Sequence, residues 1–345
     1  MSQPLVEIDG SFGEGGGQIL RTSLALSLVT GKPFHLRSIR ARRSRPGLQP
    51  QHLMSVRAAA TVGGATLRGD CKDSTDLVFE PGPVVPGKYH FPIGTAGATS
   101  LVLHTLYLPL AFKTDAPSEV TITGGTHVTH CPCYHFLETT WRPYMELLGL
   151  QLKLRMRRPG FYPRGGGVLE AHIQPCPRLL GLQLETPDRP KRATGFSAVA
   201  GLPADIASRQ ARRAIGGLKG HGLKVDITEE SWDGGPGTVL AVVLETAPVP
   251  TLFFALGERG KRAERVADEA VDEAVAFLEA TPPGVDAHSA DQLVLPLALA
   301  SGPSSYPVSV VTQHLLTNIA VIRLFLERDV QVEGEEGKPG WVRIA

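Results

Sequence analysis

The sequence predicts an α/β (α+β) protein. Three copies of one β-α-β-α unit form three similar sheets packed about a common axis, and a smaller α/β domain is inserted between the second and third copies. Three observations predict this. Strand-like and helix-like runs alternate along most of the chain, as in βαβ units rather than separate all-α or all-β blocks. Small residues recur where a strand hands over to a helix, at 13–18, at 93–100 and near the end, so one unit is read more than once. The stretch from about 185 to 280 breaks the repeat: it starts with dense charge (Glu185, Asp188, Arg189, Lys191, Arg192) and carries its own apolar residues. The expected division is a large domain over 1–184 and 281–345 and a small one over 185–280.

In chain order, a strand at 5–8 leads into Gly13-Glu14-Gly15-Gly16-Gly17-Gln18 and a helix over 19–29 with Leu20, Leu24 and Leu28 on one face. A glycine run at this junction lets backbone amides approach a phosphate. It is neither G-x-G-x-x-G nor a P-loop, and it lacks a P-loop lysine. Glu14 would repel phosphate unless a cation or a basic side chain lies between them, so it reads as a metal or nucleotide contact; the plain alternative is an acid satisfying the helix dipole. A second helix at 54–62 closes at Gly63-Gly64, and a strand follows at 65–68. The second copy has a helix at 101–112, a strand at 119–123, a helix at 134–148 and strands at 150–157 and 167–173. The insert has a helix at 205–218, strands at 224–229 and 238–244, and an amphipathic helix at 262–278. The third copy has a helix from Asp291 through Leu299, a β-branched run at 308–311 and a final helix with Leu315, Ile319, Ile322 and Leu326 on its apolar face.

That final helix carries the candidate nucleophile. Thr312 is the natural N-cap, its hydroxyl accepting from a first-turn amide. His314 then falls in the first turn, where the helix field disfavours imidazolium and keeps a ring nitrogen unprotonated.

Composition excludes several classes. Lys plus Arg (35) balances Asp plus Glu (34), with 42% hydrophobic residues, as in a soluble globular protein. The charge is clustered, however: Arg37, Arg40, Arg42, Arg43 and Arg45 come without an acid, and Lys153, Arg155, Arg157, Arg158 and Arg164 form a second group. Both suit phosphate contacts; either also suits a solvated basic face. Four cysteines do not make a disulfide scaffold. With no signal-like N-terminus and no membrane-length apolar run, a cytoplasmic protein without membrane association is expected.

The blocks Gly13-Glu14-Gly-Gly-Gly-Gln18-Ile-Leu-Arg21, Arg45-Pro-Gly-Leu-Gln-Pro-Gln51-His52, Arg164-Gly-Gly-Gly167, Gly257-Glu-Arg-Gly260, Ala290-Asp291-Gln292 and Thr312-Gln-His314-Leu occur in order. On them the chain resembles the RNA 3′-terminal phosphate cyclases from Ile8 to about Leu326. The resemblance implies three βαβαββ units with a small α/β domain inserted in the third. It also implies a three-step reaction: a histidine takes AMP from ATP, AMP passes to an RNA 3′-phosphate, and the 2′-hydroxyl closes a 2′,3′-cyclic end. ATP, a divalent cation (Mg or Mn) and RNA ending in a 3′-phosphate are the implied partners, and a homodimer is compatible with it.

By position, His314 matches the adenylylated histidine and Glu14 an acid near metal and nucleotide. Arg21, Arg40, Arg43 and Gln51 match phosphate-binding positions, Arg40 and Arg43 being assigned to RNA. The segment His288, Ser289, Ala290, Asp291 and Gln292 matches a loop that holds the nucleoside, and Pro132 a proline packed on adenine. Two of these nucleotide positions depart from the pattern: His288 stands where tyrosine is usual and His104 where glutamine is common. A further departure is the cluster His127, His130, Cys131, Cys133 and His135: its spacing does not match structural zinc sites, so it is read as a loop lining the nucleotide pocket, the alternative being a zinc site built from its nitrogen and sulfur ligands. Two competing readings are a cyclase-like RNA-binding protein of ribosome assembly, which would not need His314, and an enolpyruvyl transferase, which would have six units and no Gln-His-Leu block.

Overall fold

A computed structural model describes residues 4–345. Strand β1 (Val6–Asp9) is followed by α1 (Gly17–Thr30), β2 (Phe34–Arg37), α2 (Pro50–Gly63), β3 (Thr66–Arg68) and β4 (Leu77–Glu80). The sheet order is β1-β2-β4-β3, with β1 parallel to β2 and the other pairs antiparallel. Ser23, Ala25 and Ser27 are as buried in α1 as Leu20, Leu24 and Leu28, because α1 lies between helices on several sides. Small side chains permit that closeness: a Cβ on Gly63 of α2 would stand 2.1 Å from Leu28 Cδ2. Gly31 then ends α1 in the left-handed conformation.

The second unit repeats this plan. It contains β5 (Lys88–Pro92), α3 (Thr99–Phe112), β6 (Ser118–Gly124), a continuous helix made of α4 (Tyr134–Phe136), a π-turn (Leu137–Trp141) and α5 (Arg142–Leu147), then β7 (Leu152–Arg158) and β8 (Gly167–Ile173). The order β5-β6-β8-β7 has the same one parallel and two antiparallel pairings.

A different sheet follows: β9 (Arg192–Ala200), α6 (Asp205–Lys219), β10 (Lys224–Trp232), β11 (Gly237–Leu244), β12 (Thr251–Leu256) and α7 (Ala263–Glu279), in strand order β10-β9-β11-β12. The buried positions of α6 (Ala207, Gln210, Ala211, Ala214, Leu218) recur at helical spacing. Of these, Ala211, Ala214 and Leu218 build a core with Ala267, Ala270 and Ala274 of α7 against Leu240 and Val242. From the same sheet, Ala241 and Leu252 join the main core.

The last unit has α8 (Ala287–Leu299), β13 (Ser304–Val308), α9 (Gln313–Phe325), β14 (Val330–Glu333) and β15 (Gly340–Ile344), in strand order β13-β15-β14. Its first-strand position is filled twice. Leu180 and Gln183 bridge in parallel to Ser301 and Ser305, and Val285 bridges in parallel to Val308. Residues on either side of β9–α7 therefore hold the place that β1 and β5 hold in the other units. One apolar core spans all three, with Leu24, Val102, Leu293 and Ile322 among its members. Among the described residues, no helix is long and apolar enough to cross a membrane.

The structure differs from expectation in three respects. The β-branched run at 308–311 is strand only to Val308; beyond it Ser309 N–H donates to Val285 O and Val311 N–H to Lys338 O as the chain turns toward α9. Helix α8 starts at Ala287, because Asp286 caps it by accepting from the His288 and Ser289 amides. Asp291 and Gln292 therefore lie on a helix and not in a loop. The strands β4, β5, β9, β12, β14 and β15 go unread in the sequence, being short or lacking clear alternation; β9, for instance, includes Gly195 and several alanines.

Candidate active site

The start of α9 forms as its sequence directs: Thr312 Oγ1 accepts from the Leu315 amide at 3.0 Å, which puts His314 in the first turn. Facing it is the loop before α1. Gly13 has φ +56°, and a Cβ there would lie 2.1 Å from Thr317 Oγ1, so only glycine lets this loop close on α9. The approach brings Glu14 Oε1 to 2.8 Å from His314 Nε2. The arginine-rich loop completes the arrangement: Arg43 Nη2 lies 2.6 Å from Glu14 Oε2, and Arg42 Nη1 donates to Gly13 O at 2.8 Å. Three segments far apart in sequence thus meet at one imidazole.

Electrostatics correct the expectation that the helix field keeps His314 neutral. The hydrogen bond to Glu14 raises its pKa above 6.5; burial opposes this, and Asp291 adds to it. A carboxylate in contact outweighs the partial charge of a helix end. Burial pushes Glu14 up, but the bonds from His314 and Arg43 hold its pKa below the usual value.

A cavity of about 1890 Å³ opens beside His314, and Arg21, His104, Pro132, His288, Asp291 and Gln292 also line it. Arg21 is drawn down to about 10 by burial, with Asp291 opposing. Asp291 is raised by burial, which its basic neighbours His314, Arg21 and His288 counter. A polar chain fixes these two residues: Arg21 Nη2 donates to Gln18 Oε1 at 2.7 Å, and Gln18 Nε2 to Thr22 Oγ1 at 3.2 Å. Thr22 Oγ1 donates to Asn318 Oδ1 at 2.7 Å, and Asn318 Nδ2 to Asp291 O at 3.0 Å. The sequence reading named Gln18 only within the glycine-rich block, without a role, and missed Thr22 and Asn318. The available signal was three polar residues on helices that otherwise read as core. His104 Nε2 and Gln292 Oε1 are buried without a hydrogen-bond partner, an arrangement that a ligand with polar edges would satisfy.

The other expected residues sit elsewhere. Arg40 Nη1 donates to Arg45 O at 2.5 Å and Gly47 O at 3.1 Å, so its guanidinium braces its own loop. Gln51 Oε1 accepts from the Ala98 amide at 3.0 Å and joins the starts of α2 and α3. Ser289 and Ala290 are buried in α8, where Ala290 O accepts from Tyr306 Oη. In the histidine–cysteine segment, His127 Nε2 pairs with His135 Nδ1 at 3.1 Å, and their rings stack on Phe161 and Trp232. Cys133 caps α4. His127, Val128, Thr129, His130, Cys131 and Pro132 line the cavity. Among the described residues, no group of three or more His, Cys, Asp or Glu is arranged to hold a metal ion. Among the described residues, Glu14 alone brings a carboxylate into ion-pair range of His314. That donor set fits a magnesium-type cation arriving with nucleotide phosphates, which takes only one or two protein carboxylates, and not a resident protein-only site.

The family model described as RNA 3′-terminal phosphate cyclase matches residues 12–332. Proteins named RNA 3′-terminal phosphate cyclase from Ectopseudomonas mendocina and Caldivirga maquilingensis are each 42% identical to this chain. The first match covers 96% of this chain and 95% of that protein, the second 95% and 94%. One from Ralstonia nicotianae is 43% identical over 96% of this chain and 94% of its own length. Among solved structures, the enolpyruvyl transferase NikO from Streptomyces tendae aligns with 99% of this chain and 48% of its own, at a TM-score of 0.37 and 10% identity, a likeness too slight to bear on function. By the family match and these near full-length relatives, the chain belongs to the RNA 3′-terminal phosphate cyclase family.

Proposed function

We propose that this chain uses ATP to convert an RNA 3′-phosphate into a 2′,3′-cyclic phosphodiester, with AMP carried covalently on His314. The observation that carries the reading is the 2.8 Å pairing of His314 Nε2 with Glu14 Oε1 beside a cavity of about 1890 Å³, a volume above the range of small-molecule sites. An imidazole nitrogen with a proton acceptor in contact is the pair that nucleophilic attack on phosphorus needs.

In the first step the imidazolium proton on Nε2 passes by way of Glu14 to solvent, and the freed Nε2 attacks the α-phosphorus of ATP. A P–N bond forms, the P–O bond to the β-phosphate breaks, and pyrophosphate leaves. Arg43 and Arg21 offset the negative charge. A divalent cation bound with the nucleotide would add charge neutralisation, and Glu14 would hold it. In the second step an oxygen of the RNA 3′-phosphate attacks the AMP phosphorus, and the P–N electron pair returns to His314. In the third the 2′-hydroxyl attacks the 3′-phosphorus, AMP leaves, and the hydroxyl proton is released to solvent.

The nucleotide is assigned to the part of the cavity walled by Pro132, His288, Asp291 and Gln292. There the unpartnered His104 Nε2 and Gln292 Oε1 would meet its polar edges. RNA phosphate contact falls to Arg43, while Arg40 acts through the loop it braces. Residues 185–280 are read as a small inserted domain, supported by their own apolar core and by the split first strand of the third unit.

The test is incubation with ATP labelled at the α-phosphate and a magnesium or manganese salt. The wild-type chain should retain label that is lost in acid and stable in alkali, as for a P–N bond, and His314→Ala should retain none while keeping its circular dichroism. Label on the His314→Ala chain, or none on the wild type, would overturn the reading.

A further inference from the structure

The cavity at His314 is larger than one nucleotide requires. Sites for molecules of that class occupy about 300–1,000 Å³, whereas this one measures about 1890 Å³. Seating ATP against His104, Asp291 and Gln292 therefore leaves roughly half of it open. The rest of the wall comes from the 161–163 turn and from the loop joining β12 to α7, Gly257 through Arg262.

These two pieces are held together. Phe161 is buried in a small cluster with Leu256 and Val239. Its ring occupies the space where a Cβ on Gly237 would sit, 2.1 Å from the ring carbon. The neighbouring Tyr162 is 78% exposed, although it is a large aromatic beside a buried one. On the loop, Lys261 is engaged by Glu269 and Leu256 O, and elsewhere in the wall Arg209 is engaged by Glu264. Arg259 and Arg262 are exposed and, among the described residues, make no side-chain hydrogen bond or ion pair. Of the acids in this wall, Glu258 and Glu269 are occupied by Lys261. Burial raises the pKa of Glu273; it and Asp272 are the acids of this wall that no lysine or arginine side chain pairs among the described residues. An exposed aromatic face with uncommitted arginines is the combination that binds single-stranded nucleic acid: bases stack on the ring and phosphates meet the guanidinium groups.

We propose that the RNA strand leading to the 3′-phosphate lies in this part of the cavity, with a base stacked on Tyr162 and phosphates held by Arg259 and Arg262. The inference rests on the RNA substrate proposed above and extends it to a subsite with an inserted-segment wall. None of the three residues belongs to the adenylylation machinery.

The experiment measures binding of fluorescein-labelled 3′-phosphorylated oligoribonucleotides, two and twelve nucleotides long, by anisotropy across a salt series. Enzyme-AMP formation without RNA is measured in parallel. Tyr162→Ala should weaken binding of the twelve-mer by roughly ten-fold, the order of one stacked base, and Tyr162→Phe should restore it. In the Arg259→Ala/Arg262→Ala chain the slope of log K against log salt should shrink by about 0.7 per phosphate contact removed. Enzyme-AMP formation should be unchanged in every variant. Twelve-mer affinity unaltered by Tyr162→Ala, or a salt slope unaltered in the double variant, would overturn the subsite. Because RNA binding is read without catalysis, a wild-type chain that binds RNA with these sensitivities but forms no enzyme-AMP would support the subsite and refute the proposed reaction.

Discussion

Glu14→Gln separates the catalytic part of the site from its folding. The amide keeps the size of the carboxylate and removes its charge, so the contacts at 2.8 Å to His314 and 2.6 Å to Arg43 lose their ionic component. His314 is 49% exposed and the Arg43 side chain 44%, so solvent screens both pairs. Each contributes about 1 kcal/mol or less to stability, and the melting temperature should fall by no more than about 2–4 °C for each kcal/mol lost. The effect on chemistry should be larger. Among the described residues Glu14 is the only carboxylate in ion-pair range of His314, and a positioned proton acceptor contributes about 10²–10⁴-fold in rate. Enzyme-AMP formation at neutral pH should therefore slow by about 100-fold or more. The pH profile gives a second reading. Glu14 raises the His314 pKa, so the wild-type rate should climb with pH through a limb above 6.5; without the carboxylate that limb should move to lower pH. Single-turnover rates between pH 5 and 9, with melting curves on the same samples, decide the matter. A Glu14→Gln chain that forms enzyme-AMP at the wild-type rate and with the wild-type pH profile would refute the role assigned to the pair.

Other outcomes follow from the geometry. Asn318→Ala removes the bonds to Asp291 and Thr22, so unfolding in urea should show a loss of about 1–3 kcal/mol together with slower adenylylation. Arg40→Ala should lower the melting temperature, since its guanidinium braces the loop carbonyls of Arg45 and Gly47; Arg43→Ala should spare it and slow adenylylation. Acid should destabilise the chain early. Burial drives His52 and His104 down to about 3 and His135 to about 4, whereas unfolded histidines titrate near 6.5. The unfolded state then binds more protons between those values, so stability rises with pH across that window and is lost as pH falls through it. The slope is about 1.4 kcal/mol per pH unit for each such histidine, and His104→Gln should reduce it by one increment. Deleting 185–280 should expose apolar surface on the remainder, because Ala241 and Leu252 join the main core and Thr140 bonds to Pro250 O and the Leu252 amide; dye binding by the truncated chain measures this.

The sequence by itself determined the elements whose signals are local. The Thr312 cap, the glycine-rich start of α1 and the alternation that repeats βα units depend on backbone preferences a few residues long, and they stand where the sequence put them. Leu20, Leu24 and Leu28 were legible as a buried face for the same reason. Only the tertiary structure decided who meets whom. Glu14, Arg43 and His314 are joined across nearly the whole chain, and the bond to Glu14 moves the His314 pKa up where the helix field alone suggested down. Arg40 and Arg43, three residues apart in one charged run, received opposite duties because one guanidinium found loop carbonyls and the other a carboxylate. Thr22 and Asn318 looked like stray polar residues on apolar helices, and Gln18 like the end of a glycine-rich block, until α1, α8 and α9 packed and made them one chain of hydrogen bonds. Local propensity is encoded within one turn or strand. The pKa of a buried group and the partner of a side chain are set by charges and dipoles that only folding brings within a few ångströms.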